Sequence, residues 1–380
     1  MKIIFKFTAI VLLFALISPY LYVFAREDTL GHELTQISAK SACLIDSQSK
    51  RVLYSKSDRL RMPMASTTKI MTALIALESG IPLDKIVSVP KEAVGIEGSS
   101  IYLSEGERIS FEALIYALLL SSANDAAVAI AHTVCGSVLD FVDLMNKKAA
   151  SLGLTDTHFT NPHGLYDEEH YTTAYELAVL MAYCMENESF AKICGTQKAV
   201  FPREGDGVRV LINHNRLLRE NGYVIGGKTG FTKKSGRCLV TCAEDKGFRL
   251  VCVTLNALDD WNDHKKLYDF AYASYESLEL NVQEMEIPVI SGRKSSVLVR
   301  SESLQSVLVS KGSAEFEVTI EAPRFIFASV ESGEQIGRVV YRYGEKIIAT
   351  SPLIATESVQ KIKYRFSLID WLKQLFGIQG

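Results

Sequence analysis

The stretch Pro63-Met64-Ala65-Ser66-Thr67-Thr68-Lys69-Ile70-Met71-Thr72-Ala73-Leu74 sets a serine and a lysine three residues apart at the head of an apolar helical pattern. Ile70, Met71, Leu74, Ile75 and Leu77 recur with helical spacing until Gly80 and Pro82 stop it, and Pro63 closes the extended segment before it. Residues at i and i+3 share a helix face. The Lys69 amine is therefore expected beside the Ser66 hydroxyl in the first turn, where the helix N-terminus favours developing negative charge. Ser66 reads as a nucleophile. On its own the pair is a chance-level pattern in a chain of 380 residues, so the remaining sequence has to supply partners for it.

The length suggests two domains, and 48% hydrophobic with 22% charged residues is ordinary globular composition. A net charge of -3 lacks the basic excess of a nucleic-acid binder. Lys2 and Lys6 precede an apolar run from Phe7 to Ile17, Ser18-Pro19 breaks it, and Val23-Phe24-Ala25 offers small residues, the form of a secretory leader over residues 1–25. The chain is thus expected to be exported. Seven cysteines, an odd number set singly in apolar segments, read as buried thiols, and no histidine lies near Cys238 and Cys242 to make a metal site.

Ser41 to Asp46 and Arg51 to Ser55 read as a β-hairpin leading into the Ser66 helix. Phe111 to Leu120 reads as a strongly apolar helix. It ends at the polar loop Ser121-Ser122-Ala123-Asn124-Asp125, after which a second helical pattern resumes, so Ser122 or Asn124 alone could be no more than an N-cap. Asn161-Pro162-His163-Gly164-Leu165 forms a turn before a helix from about Thr173 to Glu186, and His163 and His170 read as structural. Gly226-Gly227-Lys228-Thr229-Gly230-Phe231-Thr232 precedes two strand-like runs, Arg237 to Ala243 and Arg249 to Leu255. Lys228 is therefore expected at the start of an edge-like strand, and a phosphate-binding loop is excluded because no helix follows the lysine. A helix over about His264 to Glu276 comes next, then short alternating runs from Val282 to Ile354 that read as a small all-β domain. In the last segment Leu368, Ile369, Trp371, Leu372, Leu375 and Phe376 mark one helical face amid flanking cations, which suits a membrane interface.

Three motifs in order, Ser66-x-x-Lys69, Ser122-x-Asn124 and Lys228-Thr229-Gly230, form the signature of penicillin-recognising serine acyl-transferases. With Ser122-Ala123-Asn124-Asp125-Ala126, Asn161-Pro162-His163-Gly164-Leu165 and Lys228-Thr229-Gly230-Phe231-Thr232, nearly the whole chain resembles the low-molecular-mass penicillin-binding proteins that are D-alanyl-D-alanine carboxypeptidases. The resemblance implies an α+β fold, with a penicillin-binding-protein/β-lactamase-like D,D-peptidase domain of antiparallel sheet and helical cluster over 26–281. A small β-sandwich over 282–356 and an amphipathic membrane-anchoring segment over 357–380 would follow. It implies neither metal nor cofactor, peptidoglycan stem peptides and β-lactams as ligands, and a place on the outer face of the cytoplasmic membrane.

Serine attacks an amide only with a base in reach, and a lysine serves only when neutral, which desolvation and a second cation promote. The resemblance gives Lys69 that task, Lys228 as the second cation, and Ser122 as proton relay to the departing amine. It has Asn124 hold Lys69 and the substrate backbone, Thr229 and Lys228 meet the terminal carboxylate, Gly230 allow close approach, and the Ser66 and Phe231 N–H groups form the oxyanion hole. One departure stands out. Many relatives carry an arginine for that carboxylate after the Lys-Thr-Gly hairpin, and none occurs from Val251 to Gly292, which leaves Lys265 as a further candidate. A D,D-endopeptidase and a non-catalytic β-lactam-binding envelope protein are the alternatives. A class A β-lactamase is disfavoured because Glu168 and Glu176 lack the Glu-x-x-Leu-Asn context.

Overall fold

The computed structural model describes residues 37–362 apart from 204, 206, 303–305 and 313–314. The expected leader therefore lies outside the described residues, as does the amphipathic face from Leu368 to Phe376. The first sheet has strands β1 (Ser41–Asp46), β2 (Val52–Lys56), β3 (Val224–Thr232), β4 (Gly236–Asp245) and β5 (Phe248–Ala257) in the order β2-β1-β5-β4-β3, every pair antiparallel. Its helices are α1 (Lys69–Glu78), α2 (Phe111–Leu120), α3 (Asn124–Cys135), α4 (Val138–Ser151), α5 (Ala174–Cys184), α6 (Glu188–Gly195) and α7 (Asp260–Ser274).

The two longest strands of this sheet, β4 and β5, are buried on both faces, which explains their near-continuous apolar runs. Cys238, Val240 and Cys242 of β4 and Val251, Val253 and Leu255 of β5 face the core built on α1, α2, α3 and α5. Thr241 and Thr254 point the other way and hydrogen-bond to His264 of α7. Cys43, Cys184, Cys194, Cys238, Cys242 and Cys252 are buried, and Cys135 is half-buried. Lys246-Gly247, both at positive φ, suffice to join β4 and β5.

Three expected boundaries move. Ser66 does not open the α-helix: Ala65–Thr68 form one 3-10 turn and α1 begins at Lys69. Lys228 sits in the middle of an edge strand, because β3 runs on through Gly226 and Gly227 with a bulge after Val224. The helix expected from His264 starts at Asp260, with Asp260 and Asp263 suited to its first turn, and gives way to a short strand, Tyr275–Leu278, paired with Val307–Ser310.

The C-terminal all-β part is a six-stranded sheet of β6 (Glu284–Ile290), β7 (Ser296–Ser301), β8 (Phe316–Glu321), β9 (Ile326–Phe327), β10 (Gln335–Tyr343) and β11 (Lys346–Ala355), ordered β8-β10-β11-β7-β6-β9. Ile287, Val297, Val299, Val339, Tyr341 and Leu353 form its core. The described chain ends in extended backbone, with Val359 bridged to Val330 and Lys361 to Gly292.

One buried ion pair ties a hairpin, Lys198–Pro202 with Val208–Ile212, to the loop before α2. Arg209 Nη1 donates to Glu107 Oε1 at 2.9 Å, both side chains 7% exposed. Arg209→Leu leaves Glu107 buried without its cation and is expected to cost about 3–5 kcal/mol in denaturant unfolding. The double variant with Glu107→Leu should recover most of that loss.

Candidate active site

The turn that carries Ser66 is clasped between two glycines. Gly164, at φ +91°, lies so close that a Cβ there would fall 1.9 Å from the Ala65 carbonyl oxygen. A Cβ on Gly230 of β3 would lie 3.0 Å from the Ser66 amide nitrogen. Only residues without side chains let both elements approach the Ala65-Ser66 peptide from two sides. Ala65 itself is held at φ +50°. The 3-10 geometry eclipses i and i+3, and Lys69 Nζ donates to Ser66 Oγ at 2.9 Å.

Lys69 is completely buried. Its amine also donates to Asn124 Oδ1 at 2.7 Å and to the His163 carbonyl at 2.5 Å, so three oxygens surround it. Burial drives its pKa well below the ordinary 10.5, the nearby Lys228 pushes it down further, and Asp125 opposes both. Lys228 is buried as well, its Nζ donating to the Thr229 carbonyl at 2.8 Å, and desolvation lowers its pKa to about 7. Two buried lysines that feel each other therefore flank the site.

Ser122 and Asn124 are buried at the junction of α2 and α3, with Ser122 at φ +59°. Asn124 caps nothing with its side chain: Oδ1 accepts from Lys69, and Nδ2 donates to the Glu97 carbonyl at 2.5 Å. Asp125 accepts from Ser100 Oγ and from the amides of Ile101 and Leu103, folding the 97–103 loop over the junction. The cleft, about 300 Å³, is lined by Ser66, Ser122, Thr229, Gly230 and Phe231 together with Ser99, His214, Arg237, Asp260 and Trp261. All three motifs meet there.

His163 and His170 have supporting places. His170 joins Thr68 Oγ1 and accepts from the Thr160 amide, His163 Nδ1 accepts from the Leu165 amide, and burial lowers them to about 4 and about 3, so both stay neutral. Glu176 accepts from the Asp156 amide and Thr157 Oγ1. Lys265 is a correction: it faces Glu220 at 3.3 Å rather than the cleft.

No arginine lies from Val251 to Gly292, but one precedes that stretch in the cleft. Arg237 of β4 is the cross-strand partner of Phe231, and it lines the cleft. Its Nε and Nη2 both donate to Oδ1 of the buried Asp260, at 2.9 and 2.6 Å, and its guanidinium carbon lies 5.6 Å from the centre of the Trp261 ring. The Arg237 side chain remains 42% exposed. Counting strand register back across the short Thr232 to Gly236 turn would have found it. His214, exposed on the cleft wall and with its pKa pushed down by desolvation and by Lys228, has no comparable signal in the sequence.

An Oγ–Nζ pair, a Ser-x-Asn junction and a Lys-Thr-Gly edge strand meeting in one cleft of an α+β fold define a penicillin-recognising serine acyl-transferase. Comparison with known proteins narrows the class. The D-alanyl-D-alanine carboxypeptidase family model matches residues 27–259, and that of the penicillin-binding protein 5 C-terminal domain matches residues 273–361. The chain is 33% identical to D-alanyl-D-alanine carboxypeptidase DacF of Bacillus subtilis, covering 93% of this chain and 91% of that one. It is 30% identical to DacA of Haemophilus influenzae, covering 92% of each. Penicillin binding protein 5 from Haemophilus influenzae superposes with a TM-score of 0.74 at 30% identity, over 86% of this chain and 98% of its own. The chain belongs to the D-alanyl-D-alanine carboxypeptidase family, the serine D,D-carboxypeptidases among the low-molecular-mass penicillin-binding proteins.

The clasp is testable. Gly164→Ala adds a methyl where no space exists, at a φ that L side chains rarely adopt, and should cost more than about 3 kcal/mol in urea unfolding. Labelled penicillin should attach more slowly to whatever fraction remains folded.

Proposed function

We propose that Ser66 attacks the penultimate D-alanine carbonyl of a peptidoglycan stem pentapeptide, with Lys69 in its neutral form taking the hydroxyl proton. The observation that carries this reading is the 2.9 Å contact between Ser66 Oγ and a lysine amine that burial and a second lysine both bias toward neutrality. The Ser66 and Phe231 N–H groups receive the oxyanion; such donors are commonly worth about 3 kcal/mol each. Ser122 passes the proton to the departing amine, free D-alanine leaves, and water hydrolyses the Ser66 ester. A β-lactam ring acylates the same serine.

The substrate lies extended along the free edge of β3 and pairs with its backbone. Asn124 keeps Lys69 aimed at Ser66 and meets the peptide backbone. Thr229, Lys228 and Arg237 receive the terminal carboxylate. Arg237 suits this task because Asp260 occupies one edge of its guanidinium, fixing its plane, while the partly exposed remainder faces the cleft. Export by the N-terminal leader puts this site outside the cytoplasmic membrane, with the amphipathic segment expected over 357–380 as the membrane anchor.

The purified protein should release D-alanine from a pentapeptide and take up labelled penicillin, and Ser66→Ala should do neither. Label on Ser66→Ala equal to that on the wild type would identify another nucleophile. Mass spectrometry of digested peptidoglycan separates loss of one D-alanine from cross-bridge cleavage.

Arg237→Gln should lower kcat/KM for the pentapeptide by about tenfold or more, chiefly by raising KM. An unchanged KM would remove Arg237 from the carboxylate site.

A further inference from the structure

The segment Pro323-Arg324-Phe325-Ile326-Phe327 alternates, and the alternation is resolved in an unusual direction. Ile326 packs on the core of the β domain, whereas Phe325 and Phe327 point outward, 49% and 66% exposed, their rings 5.8 Å apart and edge to face. In the parallel pairing of β6 and β9, Phe327 stands beside Ile290, itself 41% exposed. Ile362 lies nearby along the chain, its amide donating to the Ser291 carbonyl. Three large apolar side chains, Phe325, Phe327 and Ile290, thus form one patch at a sheet edge. Scattered exposed residues need no explanation, but a contiguous aromatic patch on a single tip does.

Three cations stand next to the patch along the chain and its strand pairings. Arg324 adjoins Phe325 in sequence, Arg293 pairs through its amide with the Gln360 carbonyl, and Lys361 bridges to Gly292. All three are exposed, and none makes an ion pair among the described residues. Glu357, an acid on the same strand end, is occupied by Lys294.

We propose that this tip is a membrane contact in its own right, seating Phe325, Phe327 and Ile290 among lipid chains while Arg324, Arg293 and Lys361 meet anionic headgroups. The inference rests on the reading that the chain is exported. The charge pattern selects the occupant. A second copy docking by two-fold symmetry would set the three cations against their own images. Residues 363–380, which follow Ile362 in sequence, carry Lys363, Arg365 and Lys373 against Asp370 and would likewise bring positive charge to positive charge. An anionic lipid surface complements both, and two weak anchors on one chain bind far more tightly than either alone.

The test is co-sedimentation of the full chain, lacking only its leader, with vesicles of phosphatidylcholine mixed with phosphatidylglycerol and with vesicles of phosphatidylcholine alone. The double variant Phe325→Ser, Phe327→Ser should partition at least about tenfold less onto the mixed vesicles. Arg324→Gln should weaken partition on the mixed vesicles and leave it unchanged on phosphatidylcholine. Both variants should release D-alanine from a soluble pentapeptide as the wild type does, which separates failure here from failure of the catalytic reading. Unchanged partition of the double variant overturns the proposal. So does a lipid-free wild-type dimer that the double variant loses, which would make the patch a self-association surface. Faster tryptic cleavage at Lys363 or Arg365 in the lipid-free double variant than in the wild type also overturns it, since the patch would then be covered by the chain's own end.

Discussion

A lysine amine with no access to water is the constraint on which the site depends. Lys69 donates to a serine hydroxyl, an asparagine side chain and a backbone carbonyl, and each acceptor comes from a different part of the chain. The partners are dipoles rather than carboxylates. Two of them suffice for the hydrogens of the neutral amine, leaving its lone pair for the serine hydroxyl; none stabilises its positive charge as a carboxylate would, and the nearby Lys228 raises the cost of that charge. A buried base that is easily deprotonated follows from this arrangement, and such groups belong to functional sites.

Holding that amine in place takes backbone more than side chains. The Ala65-Ser66 peptide sits between Gly164 on one side and Gly230 on the other, so the Asn161 to Leu165 turn and the β3 edge both bear on the nucleophile turn. Thr72 Oγ1 donates to the Pro162 carbonyl at 2.6 Å and pins the turn to α1 from below. Asp125 draws the 97–103 loop onto the Ser122 junction, and Asn124 clips that loop through Glu97. Strain at Ala65 and Ser122, both at positive φ, is concentrated beside the reacting groups and is sustained by these contacts.

Much of this was legible in the residues, for identifiable reasons. Helix α2 was bounded to the residue because Ser110 caps it and the polar Ser121 to Asp125 run ends it. The hairpin of β4 and β5 was visible because two-residue turns impose a recognisable break in apolar runs. What stayed hidden depends on tertiary contact. That α1 starts only at Lys69 follows from the clasp on the preceding turn, which no local propensity encodes. Arg237 was hidden because its place in the cleft comes from cross-strand register with Phe231, which no local motif marks. Asp125 looked like the tail of a motif until its carboxylate was seen holding a loop.

Burial and Lys228 together hold the pKa of the Lys69 amine well below its ordinary value. Titration of the Lys69 side chain by NMR, in protein labelled at lysine Cε, measures it directly. The account expects a midpoint well below 10.5 that moves upward when Lys228 is replaced by Met. A midpoint in the ordinary lysine range, or one unmoved by Lys228→Met, would contradict it.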